Sequence, residues 1–341
     1  RYFGMETRGR AGARVRIALT GATGSLGGAL IFALARRPEV SRLVALSRDE
    51  VKSGDLADRW LDLTPLRCQL GDVRDRERLE EVFRGCDTVI HCAALKRITH
   101  SVYSPEEMVK TNVWGTVNVI RAATEVGVAK VLVVSSDKAC EPTNLYGMSK
   151  AVAECYAVQS NSNSYPRGTL VSCVRYGNVL GSRGAVVHVW REQLQRGVPL
   201  TITDSAMTRF IITLPQAAAF CLAAVEDMEG GEIFVPRLPA VHIGVLADAL
   251  AVTTIGQTRC ERTYIGLRPG GEKLHEALLS REEPSRTWWD GTRMVILPSH
   301  HSWREGWEVP TWQRVEQPYS SDAPDRWLSV EELAEMLKDV P

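Results

Sequence analysis

Length, composition and charge restrict the classes to which this chain can belong. The 341 residues include 41 Lys and Arg against 41 Asp and Glu, so the formal net charge is zero. A net charge of zero argues against a protein that binds nucleic acid through phosphate attraction. The longest apolar run, 217–225, is far shorter than the about 20 residues that a membrane-spanning helix needs. We therefore expect about two globular domains that bind neither nucleic acid nor membranes.

The cysteines suggest a compartment rather than a metal site. The eight residues are scattered, with no CxxC pair and no spacing typical of metal ligands. We therefore expect free thiols and no bound metal. Because no export signal is evident, we also expect a reducing, cytoplasmic location.

The predicted elements alternate along the first half of the chain. Strands are predicted at 15–20, 42–46, 67–70, 88–91, 130–134 and 170–174, and helices at 29–35, 76–83, 105–126 and 146–160. This alternation indicates βαβ units, and hence a parallel sheet with helices on both faces. After about residue 178 the rhythm changes, with helices predicted within 183–199 and at 214–227 and a strand at 232–235. The predicted fold class is α/β, a doubly wound parallel sheet with a smaller, mainly C-terminal lobe.

A glycine-rich turn follows the first predicted strand and opens the first helix. Its three glycines have the spacing TGxxGxxG, which permits a tight turn and lets backbone N–H groups approach a pyrophosphate. No Lys-Ser/Thr pair follows the last glycine, so the turn is not a P-loop. A Rossmann-type dinucleotide site is predicted, with a purely structural turn as the alternative. The residues assigned to the cofactor here are Gly21, Thr23, Gly24, Ser25, Leu26 and Gly27.

The end of the second predicted strand bears on which dinucleotide binds. An acid at this place usually binds the ribose 2′-hydroxyl of NAD, whereas an arginine suits the 2′-phosphate of NADP. Ser47 and Arg48 come first and favour NADP, while the following Asp49 keeps NAD as the less favoured alternative. Asp72 and Val73, after the third strand, are placed to meet the adenine edge.

A tyrosine and a lysine lie four residues apart on the helix after the fifth strand. Tyr146 and Lys150 therefore share one helix face, and a lysine beside a phenol lowers the pKa of that phenol. A phenolate can take the proton of a sugar hydroxyl while hydride leaves the same carbon. The fifth strand ends in Ser135 and Ser136, which strengthens the prediction of a catalytic site here.

These motifs together resemble the extended short-chain dehydrogenase/reductases that modify nucleotide sugars. Further segments resemble the UDP-N-acetylglucosamine 4,6-dehydratases of the polysaccharide biosynthesis group: GDVRD (71–75), HCAALK (91–96), SDKA (136–139), RYGNVLGSRG (175–184), MTRF (207–210), GEIFVP (231–236) and GEKLHE (271–276). The likeness runs from about residue 14 to 276. Ser136 stands where the family usually has Thr, residues 269–272 carry one extra glycine, and 287–318 matches nothing in the family pattern.

The resemblance implies a hydro-lyase mechanism. Tyr146 would take the C4 hydroxyl proton while C4 hydride passes to NADP. Asp137 would be the acid for the C6 hydroxyl and Lys138 the base for the C5 proton, and hydride would return to C6. The product would be a UDP-4-keto-6-deoxy-N-acetylhexosamine, with C5 retained or inverted. The implied catalytic residues are Ser136, Asp137, Lys138, Tyr146 and Lys150.

The resemblance also implies further ligands, an oligomeric state and a division of the chain. Additional cofactor residues would be Ala93, Ala94, Lys96, Asn112 and Val179, together with Tyr146 and Lys150. The UDP-sugar would be bound by Lys96, Asn178, Arg183, Gly184, Arg209, Arg268 and Glu272. Residues 14–178 and about 211–240 would form the NADP-binding domain, and about 179–210 and 241–341 the substrate-binding lobe. A homo-oligomer is expected.

Two other functions fit parts of the pattern. A nucleotide-sugar C4 epimerase or reductase would use the same tyrosine and lysine without an acid/base pair for C5 and C6. A catalytically silent NADP-binding sensor would keep the nucleotide fold alone, and the intact pair of Tyr146 and Lys150 argues against it.

Overall fold

The computed structural model describes residues 14–60, 66–164, 168–267, 270–300 and 311–340. Its strands are β1 (Val15–Thr20), β2 (Val40–Ser47), β3 (Leu66–Leu70), β4 (Thr88–His91), β5 (Lys130–Val134), β6 (Leu170–Val174), β7 (Asn178–Val179), β8 (Leu200–Ile202), β9 (Thr208–Ile212), β10 (Ile233–Pro236), β11 (Ala240–His242), β12 (Arg262–Tyr264), β13 (Ala277–Leu279), β14 (Thr287–Trp289), β15 (Arg293–Ile296), β16 (Gln313–Arg314) and β17 (Tyr319–Ser320).

The helices pack around these strands. They are α1 (Ser25–Leu34), α2 (Glu50–Arg59), α3 (Arg76–Phe83), α4 (Ile98–Tyr103), α5 (Pro105–Val109), α6 (Gly115–Glu125), α7 (Leu145–Ser164), α8 (Val186–Gln195), α9 (Leu214–Asp227), α10 (Ile243–Ile255) and α11 (Val330–Lys338). A π-helical turn, Lys110–Trp114, joins α5 to α6, and a 3₁₀ turn, Asp137–Ala139, follows β5. Among the described residues, no helix has both the length and the apolar character needed to span a membrane.

A ten-stranded sheet forms the centre of the molecule. Its order is β16-β14-β15-β10-β6-β5-β4-β1-β2-β3, and the strands from β10 to β3 pair in parallel. These strands are rich in Val, Ile and Leu because helices bury both faces of a parallel sheet. Chain order reverses between β1 and β4, which opens a crevice at the carboxyl ends of these strands. The predicted α/β doubly wound fold is confirmed.

The described residues contain two hydrophobic cores. The larger surrounds the parallel strands, and the smaller gathers side chains such as Leu180, Trp190, Leu250 and Leu333. Towards the C-terminus, β14, β15 and β16 extend the large sheet by antiparallel pairing. Thr287–Trp289, Arg293–Ile296 and Gln313–Arg314, which the predicted division assigns to the substrate-binding lobe, therefore contribute strands to the main sheet. The assignment of one part to cofactor and the other to substrate stays a prediction.

Candidate active site

The glycine-rich turn forms a cradle that only glycine fits. Gly21 has a φ of +68°, and a Cβ on it would lie 2.7 Å from the backbone nitrogen of Ala93. A Cβ on Gly27 would lie 2.4 Å from the carbonyl oxygen of Gly21. Helix α1 starts after Gly24 with no side-chain cap, so its first N–H groups face outward for an anion. The turn therefore fits the pyrophosphate of a dinucleotide.

The other turn residues join this cradle to its surroundings. The hydroxyls of Thr23 and Ser47 lie 2.8 Å apart, which ties the turn to the end of β2. The Ser25 hydroxyl accepts a 2.9 Å hydrogen bond from the backbone N–H of Arg183. Leu26 packs against the larger core. The loop after β7 thus reaches the phosphate turn.

The charged residues after β2 and β3 have distinct partners. Asp49 caps α2 by accepting from the backbone N–H of Lys52, and it also forms an ion pair with the Lys52 side chain. Asp72 is bonded by Arg74 at 2.7 Å and lies 3.7 Å from the half-exposed Arg48. The acid that could have selected NAD is therefore engaged in helix capping, and Arg48 remains near the predicted adenosine end.

Asn112 connects two segments of the protein instead of facing outward. It lies in the π-helical turn, where its Oδ1 accepts from Leu95 N at 2.8 Å. Its Nδ2 donates to Leu95 O and to Ser149 Oγ, each at 2.9 Å. The amide of Asn112 thus holds the segment after β4 against α7. Its predicted place among the cofactor residues stays a prediction.

Tyr146 and Lys150 are both buried near the start of α7. Lys150 Nζ donates to the carbonyl of Val134 at 2.7 Å, and burial lowers the pKa of this lysine. Burial raises the pKa of Tyr146, while the Lys138 cation and a hydrogen bond with Ser136 act in the opposite direction. Lys138 is thus a cation that acts on the Tyr146 phenol, and the predicted action of Lys150 on the same phenol stays a prediction.

Asp137 and Lys138 form a tight ion pair after β5. Lys138 Nζ lies 2.9 and 3.0 Å from the two carboxylate oxygens of Asp137 and 2.7 Å from Asn178 Oδ1. The Ser136 hydroxyl bonds the same carboxylate at 2.7 Å. The side chain of Asp137 is 1% exposed and that of Lys138 is 23% exposed, so the lysine is the more accessible partner.

The pKa shifts of Asp137 and Lys138 agree with the assigned acid but not with the assigned base. Burial and the neighbouring charge of Glu276 raise the pKa of Asp137 against the opposing effect of Lys138, as an acid requires. Burial alone would lower the pKa of Lys138, but the carboxylates of Asp137 and Glu276 raise it above its ordinary value. A base for the C5 proton has to be neutral, whereas this raised pKa favours the ammonium form of Lys138.

Glu276 is a functional candidate to which the sequence pattern alone gave no role. It is 4% exposed, and its two carboxylate oxygens lie 3.2 Å from Lys138 Nζ and 3.2 Å from Lys273 Nζ. Lys273 also donates to the carbonyl of Cys140 at 2.7 Å, which holds this segment over the turn after β5. The only sequence signal was its place in the GEKLHE segment.

The predicted substrate residues fall into two groups. Arg209 is 6% exposed, and its guanidinium donates to the carbonyls of Thr208, Lys273 and Leu274. It lies 3.6 Å from Glu272. Arg209 therefore holds the 272–274 segment in place, and its predicted contact with the substrate diphosphate stays a prediction.

The second group lies near the phosphate turn. Lys96 Nζ donates to Ser182 Oγ at 3.2 Å, and burial together with Arg183, Arg97 and Lys138 lowers the pKa of Lys96. A Cβ on Gly184 would lie 3.4 Å from the Arg97 guanidinium. The loop that bears Arg183 and Gly184 is therefore rich in positive charge. Ala93, Ala94 and Val179 are half-buried or exposed, and Arg268 lies outside the described residues.

A buried histidine also stands beside the phosphate turn. His91 Nδ1 lies 2.7 Å from Thr20 Oγ1, and its Nε2 lies 3.1 Å from Thr116 Oγ1. Burial lowers the pKa of His91 to about 3, with Lys150 contributing, so this ring is neutral. Within the described ranges, no cluster of His, Cys, Asp and Glu is suited to hold a metal ion.

Comparison with known proteins identifies the family. The model described as "Polysaccharide biosynthesis protein" matches residues 17–297. The chain belongs to this family. A curated relative, the UDP-N-acetylglucosamine 4,6-dehydratase (inverting) of Campylobacter jejuni, is 38% identical over 330 residues, which cover 94% of this chain and 96% of the relative. The UDP-glucose 4-epimerase of Rickettsia massiliae is 38% identical over 271 residues, covering 79% of this chain and 78% of the relative.

Solved structures agree with this fold. Pen from Bacillus thuringiensis has a TM-score of 0.88 and 29% identity, with 96% of this chain and 98% of that chain covered. DesIV of Streptomyces venezuelae, a dTDP-glucose 4,6-dehydratase, has a TM-score of 0.67 and 22% identity, with 76% and 86% covered. The predicted membership of the extended short-chain dehydrogenase/reductases is confirmed, and the chain is an enzyme of that superfamily.

Proposed function

We propose that this chain is an NADP-dependent 4,6-dehydratase that acts on UDP-N-acetylglucosamine. The observation that carries the proposal is the buried ion pair of Asp137 and Lys138, 2.9 Å apart, in the same cluster as Tyr146. The elimination of water across C5 and C6 needs one acid and one base at adjacent carbons. The 38% identical relative named for this reaction supports the same reading.

The proposed cofactor is NADP, bound along the carboxyl ends of β1 and β2. The cradle of Gly21, Gly24 and Gly27 would hold the pyrophosphate on the N-terminus of α1. Arg48 would meet a 2′-phosphate, since Asp49 is engaged as the cap of α2. When bound, the nicotinamide would accept a hydride from C4 and return it to C6.

The side chains would move protons in the following order. Tyr146 would take the C4 hydroxyl proton. Burial raises the pKa of its phenol, and the Lys138 cation and Ser136 hydroxyl oppose this shift by stabilising the phenolate. Lys138 must lose one proton before it can act as a base, and its 23% exposed side chain can release that proton to solvent. Asp137 must hold a proton at the same time, because it has to protonate the departing hydroxyl. The base and the acid are then both prepared, and the proton that Tyr146 later gives up returns to Asp137.

The elimination then restores the pair. Lys138 takes the C5 proton, which the adjacent C4 ketone has acidified, and Asp137 protonates the departing C6 hydroxyl. The C5–H and C6–O bonds break, water leaves, and the lysine is again an ammonium beside a carboxylate. Lys138 gives its proton back to C5 when hydride reaches C6, and the proton held by Tyr146 reloads the cluster. The enzyme gains and loses the same number of protons.

A matched pair of lysine variants tests this function. The purified enzyme is incubated with UDP-N-acetylglucosamine and NADP in deuterated water, and the product is followed by NMR. We expect a 4-keto-6-deoxy sugar carrying deuterium at C5, whose configuration the same spectra report. Lys138→Met should lose dehydration by about 1,000-fold, because acid–base groups contribute about 100- to 10,000-fold.

The control is Lys130→Met at the other end of β5, where Lys130 Nζ donates to the carbonyls of Val225 and Glu226. This variant should keep its dehydration rate within about threefold of wild type. Wild-type dehydration by Lys138→Met would contradict the assignment of the base.

A C4 epimerase is the second candidate, because relatives of that name are also 38% identical over 79% of this chain. An epimerase would leave the C6 hydroxyl in place and would not need Asp137 or Lys138 as acid and base. The NMR spectrum separates the two functions, since only the dehydratase produces a C6 methyl group. A C4 epimer with an intact C6 hydroxyl would establish the second candidate.

A further inference from the structure

The acid–base pair has a third charged member. One ammonium, that of Lys138, lies between two buried carboxylates, 2.9 Å from Asp137 and 3.2 Å from Glu276. Two anions that share one buried cation repel each other, and the cluster relieves this repulsion when one of them takes a proton. The question is which carboxylate carries that proton.

The surroundings of the two carboxylates answer this question. Glu276 has a second cation, Lys273 Nζ, 3.2 Å from its other oxygen, and the Arg209 charge also stabilises its ionised form. Asp137 has Lys138 as its ion-pair partner, and its backbone N–H donates to the Tyr176 carbonyl. The cations on the outer side of Glu276 therefore keep it ionised, and the proton goes to Asp137.

We propose that Glu276 is a positioning residue for the elimination step, because it serves as the second counter-ion of Lys138 and so allows Asp137 to hold the proton that it delivers to the C6 hydroxyl. This inference rests on the proposed dehydratase function and adds a residue to it. Glu276 does not contact the sugar in this scheme. It acts through Asp137 and Lys138, whose charges it balances.

Three features place Glu276 firmly enough for this role. Its carboxylate is held by Lys273, and its backbone N–H donates to Ser321 Oγ at 2.9 Å. The Ser321 hydroxyl in turn lies 2.7 Å from Thr208 Oγ1, in β9. Glu276 is therefore fixed by groups from two other segments of the chain, so its distance to Lys138 is set by the fold.

The test is the pH dependence of Glu276→Gln, which removes one charge and keeps the size. Asp137 must be protonated to act, so kcat falls as pH rises through its pKa. Without Glu276, Asp137 becomes the sole counter-ion of Lys138 and loses its proton at lower pH. We expect this limb of the profile to move down by about one pH unit and kcat at neutral pH to fall about 10-fold, with KM within about threefold of wild type. The groups that act on Asp137 are Ser136, Lys138, Tyr146, Tyr176 and Glu276. Arg209 acts on Lys138 and Glu276, and Lys273 acts on Glu276.

Two further variants complete the design. Glu276→Asp keeps the charge and should restore the limb toward its wild-type position. Glu232→Gln is the matched control, because Glu232 is also a 4% exposed carboxylate, bonded by Ser172 in the large core, and its loss should leave the profile unchanged. An unshifted limb in Glu276→Gln overturns the inference, and so does a raised KM without a shift.

A second measurement does not depend on the folding of Glu276→Gln. The infrared difference between wild type and Asp137→Asn reports the protonated carboxyl of Asp137 as pH is varied. Its midpoint should lie above the ordinary Asp value of 3.8. A midpoint at or below that value overturns the inference. Failure of the proposed function is distinct from both results, because wild type would then form no 4-keto-6-deoxy sugar.

Discussion

At the scale of single residues, Gly21 in the phosphate turn and Gly28 in α1 differ in whether they can accept a side chain. Gly21 adopts a φ of +68°, and a Cβ on it would lie 2.7 Å from Ala93 N, which is backbone and cannot yield cheaply. Gly28 lies within α1, and a Cβ there would meet nothing within 4 Å. The same substitution is therefore costly at one position and tolerable at the other, seven residues along.

We expect Gly21→Ala to lower the free energy of unfolding by about 2 kcal/mol or more, because a left-handed backbone and a close contact both oppose the methyl group. It should also abolish dinucleotide binding, since the phosphate turn would have to move. Gly28→Ala should stabilise the protein by up to about 1 kcal/mol through helix propensity. Chemical denaturation and cofactor titration measure both effects, and equal stabilities for the two variants would contradict the account.

At the scale of elements, a buried arginine joins three segments. Arg175 directly follows β6 and is 2% exposed. Its guanidinium bonds Glu154 on α7 and, at 2.8 Å, Glu283 in the 3₁₀ turn Glu283–Arg286. A buried cation with two carboxylates is stable only while its partners remain, because an unpaired charge in the interior is strongly unfavourable. This cluster locks the C-terminal segment to the parallel sheet.

The cluster predicts a specific loss of stability in acid. Burial alone would raise the pKa of Glu283. The Arg175 guanidinium and the backbone N–H of Ser280 overcome this effect and lower that pKa from 4.5 to about 2. Because the folded pKa is depressed, the stabilisation is fully present above about pH 4.5 and is lost as pH falls toward 2. Glu283→Gln should cost about 3 kcal/mol at neutral pH and should remove part of this acid dependence.

The control for that variant is an exposed pair. Arg16 and Asp87 lie 2.8 Å apart with side chains 47% and 38% exposed, so Asp87→Asn should cost less than about 1 kcal/mol. Urea denaturation at several pH values provides the measurement. A Glu283→Gln protein that unfolds in acid with the same profile as wild type would show that this carboxylate does not carry the effect.

The strands of the parallel sheet could be predicted from sequence, whereas other elements could not. The predicted bounds of β1, β4, β5 and β6 agree with the structure residue for residue, because short runs of β-branched residues between turns identify buried strands. Helix α2 escaped prediction because only Ser53 of its residues is buried, which leaves no apolar periodicity. The long helix predicted at 105–126 is interrupted by the π-helical turn that directs Asn112 inward, and no periodicity announces such a turn.

The residues of the candidate active site also divide into those that the sequence could reveal and those that it could not. Asp137, Lys138 and Tyr146 are close along the chain, so a motif could reveal them together. Glu276 reaches Lys138 from a distant segment, and only tertiary structure could show that contact. The charge state of Lys138 was also beyond the sequence, because it depends on the number of carboxylates around one ammonium.

At the scale of the whole molecule, the chain leaves the large core and returns to it. The smaller core contains side chains from about 180–211, 241–251 and 328–337. Between the last two of these segments, β13, β15 and β17 bring residues such as Leu278, Ile296 and Tyr319 back to the larger core. This return path carries Glu276 to the turn after β5. The acid–base cluster is therefore completed only when both parts of the chain have folded.

Cofactor binding should stabilise the whole fold in proportion to affinity. At about 100 times its Kd, NADP should add about 2.7 kcal/mol, seen as a rise in Tm. Arg48→Ala should weaken NADP about 10-fold through the loss of a charge-assisted contact, and it should leave the affinity for NAD unchanged. Arg59→Ala, an exposed arginine at the end of α2, is the control. Equal loss of both dinucleotides in Arg48→Ala would contradict the proposed 2′-phosphate contact.

The two edge strands of the large sheet affect whether molecules of this protein aggregate by strand pairing in concentrated solution. Its outer strands are β3, with the exposed Arg67, and the two-residue β16, whose Gln313 and Arg314 are both exposed. A short or charged margin offers a poor template for a strand from another molecule. The antiparallel strands β15, β14 and β16 thus cover the edge of β10, a hydrophobic strand that would otherwise favour aggregation. The outermost of them, β16, is a poor partner for any further strand.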